Sequence, residues 1–374
     1  MIIRAEDIKD VCSKILAAVD SSELSLVTET LALYTDNEDL ILAVTNREYY
    51  VQIKLPLHEK VDFNATVNAT VFLKLISQIT TDTIELSVDD STLYVKGNGT
   101  YKLALIFDGT TLLELPKIDI NNITTTFGVS GDILTSILNY NSKEISKVTK
   151  IARPVQKLYY VDECGAITFT TGACVNNFTL SEKIKILLNA RVVKLFKLFK
   201  GDAVTLSLGH DVLANGTNQT KIRFSNDTIE ITSLLPSDDS MIASVPVKAI
   251  RDRATKIYDY SVVLHKDELL QTINRLSLFT ASAAYAKTYS QFIFESDGVT
   301  IYDAAGDNCE KLYYKNDVGS LSGKSYTAIV DTVDLKATLE GCAESYVNIN
   351  FGDSQALVIA RGNIYNVIPE IQKV

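Results

Sequence analysis

What the chain lacks narrows it first. No run approaches the ~18 consecutive apolar residues of a membrane-crossing helix, and no charged-then-apolar leader opens it. A cytoplasmic location and no membrane partner are the expectation. The five cysteines (Cys12, Cys164, Cys174, Cys309, Cys342) are odd in number, scattered, and form no CxxC pair. That spacing signals neither a zinc site nor a disulfide framework. The three histidines, His58, His210 and His265, lie far apart without ligand-spaced partners. No Walker loop, GxSxG or GxGxxG occurs. Asp303, Asp307 and Asp353 are carboxylates whose setting is turn chemistry. Thus no catalytic residue, metal or cofactor is expected, and the protein is read as a non-enzyme. An overall basic excess is also missing: the net charge is −10. That argues against an ordinary nucleic-acid binder. It leaves room for one whose positive charge is confined to a single surface, because local potential steers a polyanion.

What is present is ample core and much β-forming residue. Hydrophobic residues make up 46% of 374, and 18 Tyr and 13 Phe accompany many Val, Ile and Thr. The most informative stretch is NARVVKLFKLFKG at 189–201. Val192, Val193, Leu195, Phe196, Leu198 and Phe199 cover one broad side of a helix. Arg191, Lys194, Lys197 and Lys200 recur every third residue on the other. Asn189 suits the N-cap and Gly201 the stop.

This unit belongs to a repeated plan. Helices are predicted near EDIKDVCSKILAAV and from Asn68; then from Ser130 and at 189–201; then at KDELLQTINRLSLF and VDTVDLKATLEG. First to second helix runs Asp7 to Asn68 (61), Asp132 to Asn189 (57) and Glu268 to Asp331 (63). From the second helix to the next strand, Asn68 to Ile84, Asn189 to Val204 and Asp331 to Val347 span 16, 15 and 16 residues. Each third nears its end with an apolar–Pro step: Leu115-Pro116, Leu235-Pro236, Ile368-Pro369. The division is 1–121, 122–256 and 257–374, with 244–259 as a linker. The fold class is α+β: three tandem copies, each with two helices and roughly eight antiparallel strands, the helices covering one side of the sheet.

If the helices share a surface, their cations act together. The candidates are Lys9, Lys14, Lys74, Lys143, Lys147, Lys150, Arg153, Arg191, Lys194, Lys197, Lys200, Arg275 and Lys336. Acids in these segments sit mostly in first turns (Glu6, Asp7, Asp132, Asp267, Glu268, Asp334), where they suit the helix dipole. Cations spread over several helices, without base-reading Asn/Gln clusters, fit sequence-independent contact with the phosphates of duplex DNA.

Three consecutive two-helix units with basic helices and an apolar–Pro–short tail: this layout resembles the bacterial-type DNA polymerase sliding clamp, the β clamp, in a divergent version. The resemblance covers the whole chain in order and spacing. It implies a DNA-clamp fold and a processivity factor. Crescent protomers would join head to tail into a homodimeric ring around double-stranded DNA, tethering polymerase and clamp loader through short peptide motifs. It implies a peptide pocket at Val155 and Leu158, at the turn with Gly172, Cys174, Val175 and Asn176, at Pro236, Met241 and Ile242, and at Val367, Ile368 and Pro369. Where clamps read Thr-Asp-Gly-His-Arg-Leu, this chain reads Gly172-Ala173-Cys174-Val175-Asn176-Asn177. The loss of His and Arg alters the expected peptide preference. The implied ring interface is the edge strand at 100–107, with Leu105, Ile106 and Phe107, against Leu276, Leu278 and Phe279. The alternatives weighed are a three-domain β-rich structural or virion protein, which leaves the recurrent helix pair unexplained, and a hydrolase, which has no motif behind it.

Overall fold

A computed structural model describes residues 1–20, 25–57, 59–146, 153–212, 216, 218–236, 239–280, 289–316 and 321–371. Lys147, Lys150 and His58 lie outside these described residues. The chain opens with β1 (Ile2–Arg4), α1 (Ala5–Ile15), β2 (Thr30–Asp36), β3 (Asp39–Thr45), β4 (Tyr49–Pro56) and β5 (Asn64–Asn68). Then come α2 (Ala69–Gln78), β6 (Thr83–Val88), β7 (Thr92–Lys96), β8 (Thr100–Ala104) and a small hairpin, β9 (Phe107–Asp108) with β10 (Thr111–Leu112). The middle third runs β11 (Ile123–Ser130), α3 (Gly131–Ser136), a π-helical turn (Ile137–Asn141) and α4 (Ser142–Ser146). It continues through β12 (Leu158–Asp162), β13 (Gly165–Phe169), β14 (Ala173–Asn177) and β15 (Lys185–Asn189) to α5 (Ala190–Lys194). A 3-10 segment (Leu195–Phe199) leads to β16 (Ala203–Val212), β17 (Asn218–Ser225) and β18 (Ile229–Leu234). After α6 (Asp239–Ala243), the stretch read as a linker is itself partly helical, with α7 (Val247–Ala254). The last third has β19 (Tyr260–His265), α8 (Lys266–Thr280), β20 (Tyr289–Phe294), β21 (Gly298–Tyr302) and β22 (Cys309–Tyr313). It ends with β23 (Tyr326–Asp331), α9 (Thr332–Glu340), β24 (Tyr346–Phe351), β25 (Ala356–Arg361) and β26 (Ile364–Pro369).

The connectivity repeats three times. Within each third, the first, sixth, seventh and eighth strands form one antiparallel row, and the fifth, second, third and fourth form another. Rows then join. β18, an eighth strand, pairs with β4, a fourth strand, making the eight-stranded sheet β11-β16-β17-β18-β4-β3-β2-β5. β26 pairs with β14 in the same way, making β15-β12-β13-β14-β26-β25-β24-β19. The middle third is therefore shared between two compact units, residues Met1–Asp132 with Lys194–Ser237, and Ile133–Val193 with Asp238–Val374.

Helices start where strands stop, with no loop between. Asn68 ends β5 and its side chain accepts from Val71 N at 3.0 Å. Asn189 ends β15 and accepts from Val192 N at 2.9 Å, and Asp331 ends β23 and accepts from Val333 N at 2.8 Å. Such caps satisfy orphan donors of the first turn. The helix expected at 189–201 begins and stops as read, Gly201 having φ +82°. Beyond Lys194 it tightens to 3-10 form. Its spacing of three, in both Leu195–Leu198 and Phe196–Phe199, is the period of that helix.

In the first unit, α1 packs on α2, β3 and β4. It buries Ala5, Ile8, Val11, Cys12 and Ile15, one stripe of the helix. In the second, Leu269, Ile273, Leu276, Leu335 and Leu339 of α8 and α9 meet Phe292, Phe294 and Phe351 of the sheets. Phe294 stacks on Phe351 with centroids 4.1 Å apart. Leu276, read as an interface residue, is 3% exposed and belongs to this core, because helical spacing aligns it with Leu269 and Ile273.

Candidate functional site

The second unit carries a buried apolar cluster, rimmed by half-buried side chains, where β26 joins β14. Val175 lies opposite Tyr365, and Ala173 opposite Val367. Opposed residues of an antiparallel pair share a face. These side chains gather with Val155, Tyr160, Ile167, Phe169 and Leu187 from one third of the sequence and Ala356 and Val358 from another. Half-buried Leu158, Met241, Ile242, Val247, Ile250, Tyr258 and Tyr365 rim the cluster.

Six of the pocket residues read from the sequence therefore meet here: Val155, Leu158, Val175, Met241, Ile242 and Val367. Three do not. Cys174 and Asn176 alternate to the opposite face of β14, where Asn176 Nδ2 donates to Ser136 Oγ at 2.8 Å. Ile368 likewise turns into the other core. Reading a strand as a continuous run overlooked its period of two. Gly172 is buried at the turn between β13 and β14, where a Cβ would fall 2.5 Å from Val367 O. Its part is to let two backbones approach. Pro369 is half-buried at the end of β26, and Pro236 belongs to the first unit.

Several polar contacts fasten the elements around this cluster. Arg251 of α7 grips Asp162 of β12 through two hydrogen bonds, Nη1–Oδ2 at 2.8 Å and Nη2–Oδ1 at 2.6 Å. That hydrogen bonding raises the guanidinium pKa further. Arg253 pairs with Asp353, which also accepts from Lys256 at 3.0 Å. Burial pushes the Asp353 carboxyl up, but Lys256, the backbone N–H groups of Gln355 and Ala356, and Arg253 outweigh it and hold the pKa below its ordinary value. Sequence reading missed these three basic residues of the linker. Their signal was the Arg-x-Arg-x-x-Lys spacing across the end of a short helix.

The basic candidates separate into free and engaged groups. Lys74, Lys143, Arg153, Lys194, Lys197 and Lys200 are exposed, and none has a carboxylate partner among the described residues. Lys9 and Arg191 are half-buried. Lys14 pairs with Asp10 at 2.7 Å and Lys336 reaches Glu340 at 3.9 Å, both along one helix face. Arg275 departs from the reading. Its guanidinium is forked onto Glu310 of β22, at 2.8 and 2.6 Å, so its charge is matched within the chain.

Of the eighth and fourth strands, β8 and β22 lie at the ends of their sheets with no strand beyond them among the described residues. Near the first, Leu105 and Ile106 are half-buried and Phe107 is exposed. Beyond the second, on α8, Leu278 is 72% and Phe279 53% exposed. The remaining titratable candidates have local roles. His210 faces Thr220 Oγ1 at 3.0 Å, and His265 sits edge-on to Tyr346. Asp303 accepts from Gly306 N, Asp307 N and Asn308 Nδ2. Among the described residues no cluster of potential metal ligands occurs, and no helix is long and apolar enough to cross a membrane.

No protein-family model matches the sequence, and no curated protein matches it by sequence. Solved structures do match in fold. The β subunit of DNA polymerase from Streptococcus pyogenes is 12% identical with a TM-score of 0.81, over 100% of this chain and 99% of that one. The Helicobacter pylori β clamp in complex with 3,4-difluorobenzamide is 16% identical, TM-score 0.75, over 100% of both chains. The DNA polymerase III subunit beta of Borrelia burgdorferi, in complex with a natural product, is 12% identical, TM-score 0.78, over 100% and 99%. The chain thus has the α+β fold of the DNA polymerase III β-subunit clamps along its whole length.

Proposed function

We propose that this chain is a sliding DNA clamp, a processivity factor without catalysis of its own. It encircles duplex DNA and tethers a polymerase and its loader by short peptides. One regularity carries the reading. At both internal seams an eighth strand meets a fourth strand, with Ile229 opposite Ile53 and Ile364 opposite Asn176. Followed from the helix starts through the ladders, these two pairs occupy the same positions in their repeats. The seams share one register. Only β8, an eighth strand, and β22, a fourth strand, lack such a partner among the described residues.

The same rule applied between two copies sets Gly99 opposite Glu310, Thr100 opposite Cys309, Tyr101 opposite Asn308 and Lys102 opposite Asp307. The last is a charge-matched pair. Head-to-tail repetition covers the edges of β8 and β22 and closes a homodimer of three-domain chains, divided at 1–121, 122–256 and 257–374. Cations of the helices then face the duplex without reading bases. The half-buried rim of the apolar cluster in the second unit serves as a groove that accepts the tethering peptides. A β-rich structural protein has no use for helix cations such as Lys194, Lys197 and Lys200, which have no carboxylate partner among the described residues.

The test is covalent closure. Thr100→Cys faces the native, exposed Cys309, and oxidation should give a dimer on non-reducing gels that Cys309→Ser abolishes. The closed dimer should be retained on nicked circular DNA through a high-salt wash and lost when the circle is cut. A chain that sediments as monomer at micromolar concentration, or that leaves circular and linear DNA alike, sinks the proposal.

A further inference from the structure

The seam between β4 and β18 in the first unit sits at the same repeat position as the apolar groove in the second. Its chemistry is different. Where the groove has Val175 opposite Tyr365 and Ala173 opposite Val367, this seam has Gln52 opposite Glu230 and Tyr50 opposite Thr232. Above it, between the sheet and the segment at 111–119, runs a cleft with two lobes of about 820 and 520 Å³. The lobes meet at Tyr34, Thr35, Tyr50, Lys117 and Asp119. The wall is anchored: Thr66 Oγ1 donates to Leu113 O at 2.9 Å, and Lys221 Nζ to Asp119 O at 2.6 Å.

Charge chooses the occupant. Asp36, Asp62, Glu114, Asp119 and Glu230 line the two lobes against Lys54 and Lys117, five carboxylates to two ammonium groups. Glu230 is partly matched by Arg223 at 3.6 Å, and Asp36 accepts from Asn37. The side chains of Asp62, Glu114 and Asp119 have no ion pair among the described residues. The floor is aromatic, and the Tyr34 ring already holds a cation, with Lys117 Nζ 5.0 Å from its centroid. Buried Tyr50, its hydroxyl 3.4 Å from that of Tyr34, and half-buried Gln52 supply polar atoms along the floor.

We infer that this cleft is a second docking site, for an extended partner peptide carrying arginine. The guanidinium takes the place of the Lys117 ammonium on the Tyr34 ring and is paired by Asp119 and Glu114, and the peptide backbone bonds to the hydroxyl and amide groups of the floor. The site is distinct from the apolar groove and does not depend on the chain binding DNA.

The test uses the full chain and two fluorescein-labelled probes, Ac-Ser-Arg-Phe-Arg-Ser-NH2 and the same peptide with Glu for Arg, read by anisotropy in physiological salt. The arginine probe should bind and the glutamate probe should not. Glu114→Lys with Asp119→Lys, both exposed positions, should weaken binding about tenfold or more. Glu6→Lys with Asp7→Lys, an equal charge change on α1, should alter it less than twofold. Ile242→Glu, in the apolar groove, should leave it unchanged. Equal binding of both probes overturns the inference. So does equal loss with the α1 pair, or loss with Ile242→Glu in place of the cleft variant.

Discussion

Arg251 and Asp162 meet through two parallel hydrogen bonds, and the carboxylate between them is almost wholly buried, 4% exposed. The pair ties the helical linker to the sheet that it crosses. Removing one partner strands a charge away from water. Arg251→Met should lower unfolding stability by about 3–5 kcal/mol, measured by urea titration. Asp162→Asn with Arg251→Met together should recover part of that loss. A loss under 1 kcal/mol for the single variant would show that solvent reaches the carboxylate.

The cations at Lys194, Lys197 and Lys200 are exposed and unmatched among the described residues, so changing them should spare the fold. Replacing all three by Glu should leave the thermal midpoint nearly unchanged and weaken DNA retention. If each contacts one phosphate, the slope of log affinity against log salt should flatten by about 0.9 per residue removed. An unchanged slope would place the duplex elsewhere.

Gly172 faces Val367 O at a distance that admits no β-carbon. Gly172→Ala must part β14 from β26 or bend the turn. The expected cost is about 1–3 kcal/mol. Hydrogen exchange should rise first at Val175 and Tyr365, ahead of the remaining sheet. Uniform exchange would show that the turn yields instead.

Acid should loosen the third repeat through Asp303. Burial pushes this carboxyl up, but hydrogen bonds from Asn308 and from the backbone N–H groups of Gly306, Asn308 and Asp307 outweigh it, so its pKa is lowered on folding. A depressed pKa contributes stability that is fully present above the unfolded value, ~4, and is lost as pH falls through the folded one. The stability gap between the natural chain and Asp303→Ala should therefore be widest near neutrality and shrink below about pH 4. A gap that stays constant between neutrality and pH 3 would assign its effect to packing.

Much of this architecture can be read before any coordinates. Helix caps are local, so Asn68, Asn189 and Asp331 announce three helix starts, 61, 57 and 63 residues after Asp7, Asp132 and Glu268, and the threefold plan follows from those offsets. Facing is harder to read. Cys174 and Asn176 look like groove residues in a run of six, yet strand alternation sends them to the far side. Leu276 looks available beside Leu278 and Phe279, yet its helical angle buries it. Long-range pairing leaves no local trace: nothing near Arg275 in sequence announces Glu310, 35 residues away. The 3-10 form of the segment after Lys194 was written in its period of three.

The middle repeat lends one row of strands to each compact unit, so its covalent boundaries are not its folding boundaries. A fragment cut at 122 and 256 would carry β14 and β18 as raw edges, each stripped of the strand that now covers it. Such a piece, expressed alone, should clump. Protease trimming of the intact chain should instead release material that keeps parts of two neighbouring repeats together.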